Sequence, residues 1–487
     1  MRMSEEDAPV LLGTEESQPL LPEAQPTQTL KTYSSGLAFA IAVNYIVGTG
    51  CFGIPHGFVS AGLLLNGLVL VLGWLLLLIT ANYTLEFLAR AWGLKHAASL
   101  PIPVFKLTFE KIDFSECASL FQGRLGSGVL QLYMTWYVVG VLWGYASMFG
   151  SSASLILGEF IDDAKCDIGS GSASDDCNLY FYVPMAVFAV IILILSAMDV
   201  GDQARVQSVL FGYKGVATAL MAVTLILKLM ADGFDAVSSR YRNIGLFNFS
   251  GFAVGFAPSI LGLGAAYNLP DIIQPLQKKS EASFVVFWSF TICMLGYLLL
   301  GILGALSFDE VNPLVTLNWY EFTGCGKTGW SSCSDGSERS WIGALVQLIV
   351  LLYPVLNALA AFPLVCVTMG DNWKHLLPHK LHGIKWVSTL LRLVAAMLPV
   401  TLAFIFKKLD LIFIVSGLGG FLLNLIGPAS LQLSSIRTCR KIWPDMIPGH
   451  LSWKTPYSKW LSSSFFAWPL LFFCVTLFIV AIVTSFV

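Results

Sequence analysis

Long apolar runs bounded by polar clusters follow one another along almost the whole chain. From Thr32 to Leu85 there is no Asp, Glu, Lys or Arg, enough chain for two membrane-crossing helices at about 20 residues each. Runs of spanning length fall at roughly 35–60, 62–89, 126–158, 179–199, 206–229, 246–275, 283–305, 341–368, 386–406, 409–434 and 464–486. They predict an all-α polytopic membrane protein of about eleven spans, because a run this long exceeds what a buried core helix of a soluble domain needs.

The pattern is interrupted inside span 1. Asn44-Tyr45-Ile46-Val47-Gly48-Thr49-Gly50-Cys51-Phe52-Gly53-Ile54-Pro55 places three glycines and a proline in the middle of an apolar helix. They predict an unwound turn at membrane depth, leaving N–H and C=O groups without helical partners. Irregular backbone persists in lipid only where protein buries it or where it lines a wet cavity. A helix broken near the midplane is where secondary transporters hold their substrates, its free amides facing an anionic group such as a carboxylate. The competing reading is that Gly48, Gly50 and Gly53 are small residues permitting close helix packing.

Spans 1–5 occupy 36–230 and spans 6–10 occupy 246–434, two stretches of nearly equal length. Each half has an odd number of spans, so the halves have opposite topology: an inverted 5+5 repeat with span 11 as an accessory. The symmetry demands a second break in span 6, and Gly262-Leu263-Gly264-Ala265-Ala266-Tyr267-Asn268-Leu269-Pro270 supplies it. The expected organisation is a cytosolic tail (1–33), a ten-helix core (34–434), a cytosolic loop (435–463) and an accessory helix (464–487).

Composition agrees: 56% of residues are hydrophobic and 12% charged, as in a polytopic membrane protein. No basic patch supports nucleic-acid binding, and no helix pair offers a nucleophile–base or two-metal constellation, so an enzyme is not expected. Residues 1–31 carry Glu5, Glu6, Asp7, Glu15, Glu16 and Glu23 with four prolines and no apolar core. A cleavable signal peptide is therefore not expected, and the tail reads as disordered. With the N-terminus in the cytosol, eighteen Lys and Arg, Arg90 among them, fall on the inner side and seven on the outer. The positive-inside rule then puts the C-terminus outside. Cys166, Cys177, Cys325 and Cys333 fall in the two longest outer loops, where Cys166–Cys177 and Cys325–Cys333 disulfides or free thiols are both open. Neither loop has a histidine, which argues against zinc, and no metal site is expected.

The string from Asn44 to Pro55 with Ser60-Ala61-Gly62 after it, the Tyr267-Asn268-Leu269-Pro270 break and the eleven spans resemble the amino acid/auxin permease family of the amino acid–polyamine–organocation superfamily. Val47-Gly48-Thr49-Gly50, the Met198-Asp199-Val200 turn, and Pro363 with Asp371-Asn372-Trp373-Lys374 are most similar to its transmembrane protein 104 branch. The resemblance implies the fold first seen in sodium-coupled amino-acid transporters, with amino-acid transport as the activity. It departs from many permeases of the family at the span-6 break, where Tyr267 and Asn268 stand instead of a more polar residue or histidine.

Candidate substrate contacts are the amides around Gly48, Thr49, Gly50 and Cys51, the Thr49 hydroxyl, and freed carbonyls near Gly264 and Tyr267 for an α-ammonium. Tyr267 is an aromatic gate or a packed bundle residue, and Asn44 and Asn268 are polar groups at depth that need partners. No Arg or Asp is placed to hold a charged side chain, so the expected substrate is a neutral amino acid or similar zwitterion. No organic cofactor is expected. For the coupling ion, Tyr353 to Pro363 contains no hydroxyl pair for sodium and only Asn357 as a strong side-chain acceptor. Span 5 carries Lys214, an intramembrane lysine of the kind that marks a functional site. Proton-coupled superfamily members place a span-5 lysine where sodium otherwise sits, and Lys214 looks like that residue; snorkelling to the interface is the alternative. A proton, with sodium second, is the expected coupling ion. The main alternative activity is an amino-acid sensor that keeps the fold without net flux.

The tail also offers an address. Asp7-Ala8-Pro9-Val10-Leu11-Leu12 and Glu16-Ser17-Gln18-Pro19-Leu20-Leu21 each set an acidic residue before a leucine pair. They resemble sorting signals read by clathrin adaptors, favouring a lysosomal, vacuolar or endosomal membrane over the plasma membrane.

Overall fold

Glycine and proline set where the first span stops being helical. Helix α1 (Ser35–Ile46) is capped by Ser34, whose hydroxyl accepts from the Leu37 amide at 3.5 Å. It gives way to an irregular stretch and one tight turn over Gly50–Phe52, and α2 (Ile54–Ala61) resumes with Pro55 in its first turn, where a missing N–H costs nothing. Gly62, at φ +92°, then turns the chain into α3 (Leu63–Lys95). A side chain there would be strained and would collide with the Leu246 carbonyl.

The computed structural model describes residues 32–97, 104–162, 166, 175–197, 203–326, 328–331, 333, 340–374, 377, 381, 384–444 and 454–485. The dileucine strings and Met198-Asp199-Val200 lie outside them. After α3 come α4 (Phe114–Asp162), α5 (Asp175–Ala197) and α6 (Gln203–Ile244). Span 6 is α7 (Phe252–Leu263) and α8 (Leu269–Ile273), separated by an extended Gly264 and a tight turn over Ala266–Asn268. Helices α9 (Ala282–Ser307), α10 (Trp341–Lys374) and α11 (Lys385–Ile405) follow. Span 10 is α12 (Leu409–Phe421) and α13 (Gly427–Ile442) joined by a π-helical turn over Leu422–Ile426, and α14 (Ser464–Ser485) is last. Among the described residues ten helical stretches are long and apolar enough to cross a membrane. With the broken span 1 they give the eleven spans expected.

Helices run further than the apolar runs do. A short helix precedes span 3 and is set off at Gly123, while another follows span 5 beyond Gly233; both glycines have positive φ. Helix α13 continues to Ile442, well into what reads as a loop. The most consequential case is Arg90, which the apolar pattern assigns to a cytosolic loop. Arg90 lies inside α3 and is fully buried, as is Glu86 one turn earlier. Its guanidinium donates to Glu86 at 2.6 Å, Gln432 Oε1 at 2.8 Å and Ser435 Oγ at 2.9 Å. Glu86 also accepts from Asn82 at 3.0 Å, Gln432 at 3.1 Å and Ser458 at 2.9 Å. The network binds span 2 to span 10 and to the segment entering span 11.

The two broken spans pack against each other through glycine. A Cβ on Gly50 would lie 2.3 Å from the Gly262 amide nitrogen, and one on Gly57 would lie 2.9 Å from Gly255 Cα. Small residues there let the backbones approach to contact. At the end of span 1 where the chain enters α1, Tyr33 joins the end of span 6: its amide donates to Pro275 O at 3.1 Å and its carbonyl accepts from Gln277 at 3.1 Å. Its hydroxyl donates to Ile272 O at 2.6 Å. At the other end, His56 of α2 lies 2.8 Å from the Val311 carbonyl and 3.4 Å from Asp410 at the start of α12. Both disulfides form, Cys166–Cys177 and Cys325–Cys333, each with Cα atoms 5.3 Å apart.

Candidate functional site

Unwinding a helix frees main-chain groups, and at membrane depth each must find a partner. In span 1 the carbonyls of Asn44 and Val47 accept from the Lys214 ammonium at 3.2 and 3.0 Å. The Ile46 carbonyl accepts from the Tyr297 hydroxyl at 3.1 Å, and the Gly48 carbonyl from Cys51 Sγ at 3.2 Å. The amides of Thr49 and Gly50 find no acceptor among the described residues. In span 6 the Gly264 carbonyl accepts from the Tyr137 hydroxyl at 2.8 Å, and the Ala266 amide donates to Asn424 Oδ1 at 2.9 Å. The Gly262 carbonyl shares the Tyr297 hydroxyl at 3.1 Å.

A cavity lies between the two breaks and spans 3, 5 and 8. Of the sequence-predicted residues, Asn44, Gly48, Thr49, Gly264, Tyr267 and Asn268 line it, and so do Lys214 and Asn357. Its walls are completed by Tyr137 and Tyr145 of α4 and by apolar residues of α10. Tyr137 and Tyr267 meet edge to face, centroids 5.3 Å apart. Asn357 is 2% exposed and its Nδ2 has no partner among the described residues. The space is small, about 50 Å³, where one water needs about 10–15 Å³. A solute of amino-acid size requires the lining to relax.

Gly50 and Cys51 do not line the cavity. Gly50 faces Gly262, so its role in the structure is contact between the breaks. A Gly50→Leu variant is therefore expected to lose folded protein. Two backbones would have to part, at or above the roughly 1–3 kcal/mol of ordinary overpacking. Thermal unfolding of the purified variant tests this, and a melting point equal to wild type would refute the contact.

Lys214 is buried and has no carboxylate partner among the described residues. Carbonyls hold it, which is how a cation at depth is accommodated when no counter-charge is supplied. Charge outside the spans behaves ordinarily: Arg240 donates to Asp309 at 2.8 Å and holds that carboxyl below the usual range.

Four residues of the site have no place in the sequence reading: Tyr137, Tyr145, Tyr297 and Asn424. Asn424 was findable, since an asparagine in the 409–434 run is the same signal that singled out Asn44. The tyrosines look like any bundle tyrosine until the fold turns them towards broken backbone.

The family described as transmembrane amino acid transporter protein matches residues 31–455. The chain is similar to Transmembrane protein 104 of Mus musculus, 22% identical over 472 residues, covering 85% of this chain and 89% of that protein. It is also similar to the Drosophila melanogaster homolog of Transmembrane protein 104, 21% identical over 523 residues, covering 91% and 96%. The Caenorhabditis elegans homolog is 22% identical over 367 residues, covering 71% and 70%.

Proposed function

Because the chain belongs to the transmembrane amino acid transporter family, we propose that it carries a small neutral amino acid or similar zwitterion across a membrane by alternating access, coupled to protons. The observation that carries this reading is the Thr49 amide, at the cavity wall and without an acceptor among the described residues. Amides at the start of a half-helix suit a carboxylate, and the unpaired Asn357 Nδ2 is a further donor. From span 6, Asn268 lines the same cavity and offers its side-chain oxygen to an ammonium, while the carbonyls of Gly264 and Ala265 already accept from Tyr137 and Asn268.

Lys214 supports a proton over sodium. Its ammonium occupies the Asn44 and Val47 carbonyls, oxygens that a hard cation would otherwise use. Span 8 brings no hydroxyl to replace them between Tyr353 and Pro363. Loss of the proton removes the charge and one of three N–H donors, which weakens the hold on both carbonyls and gives proton release a structural consequence where substrate binds. The paired leucines at 11–12 and 20–21 support delivery by a clathrin adaptor to an acidic endomembrane, with the N-terminus cytosolic. Changing all four to alanine should move the protein to the cell surface.

The test is uptake of radiolabelled neutral amino acids into proteoliposomes. Accumulation is expected for one or a few small ones, and Thr49→Val should lower it at unchanged melting point. Ligand-induced stabilisation without any uptake would instead make the protein a receptor.

A further inference from the structure

Spans 10 and 11 leave a groove that the transport site does not use. It runs between α13 and α14, with a volume of about 350 Å³, within the range of small-molecule sites, roughly 300–1,000 Å³. Its composition is graded along the helices. Arg437 and Arg440 stand at one end with Ser464, while Leu433 and Leu471 line the other. From Arg440 back to Ser430 is ten residues, about 15 Å at 1.5 Å per residue, or half the hydrocarbon thickness of about 30 Å.

Both guanidiniums are solvent-exposed, and neither has an ion pair or hydrogen bond among the described residues. The α13 serines of the groove are already engaged: Ser434, and Ser430 a turn further from the arginines, accept from Gln122 at 3.2 Å each. That fixes hydroxyl groups on the groove wall while leaving the arginines uncommitted. Depth is set by aromatic residues. Trp468 lines the groove, while Trp460 in the turn before α14 and Phe465 at its start stand exposed, an interfacial belt at headgroup level. The arginines thus lie where headgroups lie, and the leucines where acyl chains lie.

We propose that this groove binds one anionic glycerophospholipid, its phosphate on Arg437 and Arg440 and one acyl chain along Leu433 and Leu471. Basic pockets between spans on the cytosolic side suit such headgroups, and paired guanidiniums suit phosphate. The occupant wedges span 11 against span 10, so its binding is felt as stability of that pair.

Full-length protein purified in neutral detergent is melted with increasing dioleoylphosphatidylglycerol, with dioleoylphosphatidylcholine, and with inorganic phosphate. The phosphatidylglycerol is expected to raise the melting point saturably, and the other two to leave it unmoved. Arg437→Gln with Arg440→Gln should raise the half-saturating lipid concentration about 30-fold, the loss of two headgroup-level charges. Equal stabilisation by phosphatidylcholine, or an unchanged half-saturation in the double variant, would overturn the proposal. Full stabilisation by inorganic phosphate would reassign the site to a soluble anion and overturn it equally. If the double variant fails to fold, Ser464→Trp fills the headgroup end with both arginines kept, and undiminished lipid response there would reject the groove.

Discussion

An Arg90→Met variant should unfold far more easily than wild type, having lost about 3–5 kcal/mol. Arginine and glutamate are both fully buried, and removing the cation leaves Glu86 charged and enclosed. Asn82, Gln432 and Ser458 would still donate to it, but neutral donors do not replace a positive charge in a dry interior. Gln432 and Ser435 would each lose a donor at once. The informative comparison is the double variant Glu86→Leu with Arg90→Met. A buried ion pair replaced by apolar groups of similar volume is often near neutral, so the double should recover much of the loss. Denaturant or thermal midpoints of the three proteins in one detergent measure this. A double variant as unstable as the single would show that the hydrogen bonds around the pair, not the uncompensated charge, carry the effect.

Lys214→Ala should abolish accumulation driven by an imposed pH gradient in sodium-free proteoliposomes, down to the level of protein-free vesicles. The carbonyls of Asn44 and Val47 lose the ammonium that donates to both. Lys214→Arg separates charge from titration, because a guanidinium keeps its positive charge and donors but does not release a proton. That variant should melt near wild type and still lose pH-driven accumulation. Strict sodium dependence of the wild type, or an unchanged pH response in Lys214→Ala, would reject the coupling role.

What the sequence could disclose follows from how local each signal is. The breaks in spans 1 and 6 were readable because Gly50, Gly53, Pro55, Gly264 and Pro270 disrupt a helix through their own backbones, whatever surrounds them. Lys214 was readable because a charge inside an apolar run needs an explanation by itself. Arg90 was not, since a polar residue at the edge of a run reads as solvated, and its burial depends on Gln432 and Ser435 more than three hundred residues away. The same holds for Gly50: its spacing says that the helix breaks, but only the packed structure shows Gly262 pressed against it. Tyr137 was hidden because its partner, the Gly264 carbonyl, becomes available only once the span-6 break exists; Asn424 stood out as a polar residue in an apolar run, but its partner, the Ala266 amide, did not. Span 10 gave no sign of its π-helical turn, which contains no glycine or proline.

The join between Tyr33 and the end of span 6 limits how the molecule can move. Two main-chain hydrogen bonds and one from the phenol fasten the chain entering α1 to the chain leaving α8. Each is worth about 0.5–1.5 kcal/mol net, so parting them costs as much as the conformational differences that separate alternate states by a few kcal/mol. The cheaper course is for both spans to swing as one lever with Tyr33 as its rivet. A pull on the residues before Tyr33 would then act on that lever directly, making the entry to span 1 a handle on both breaks at once.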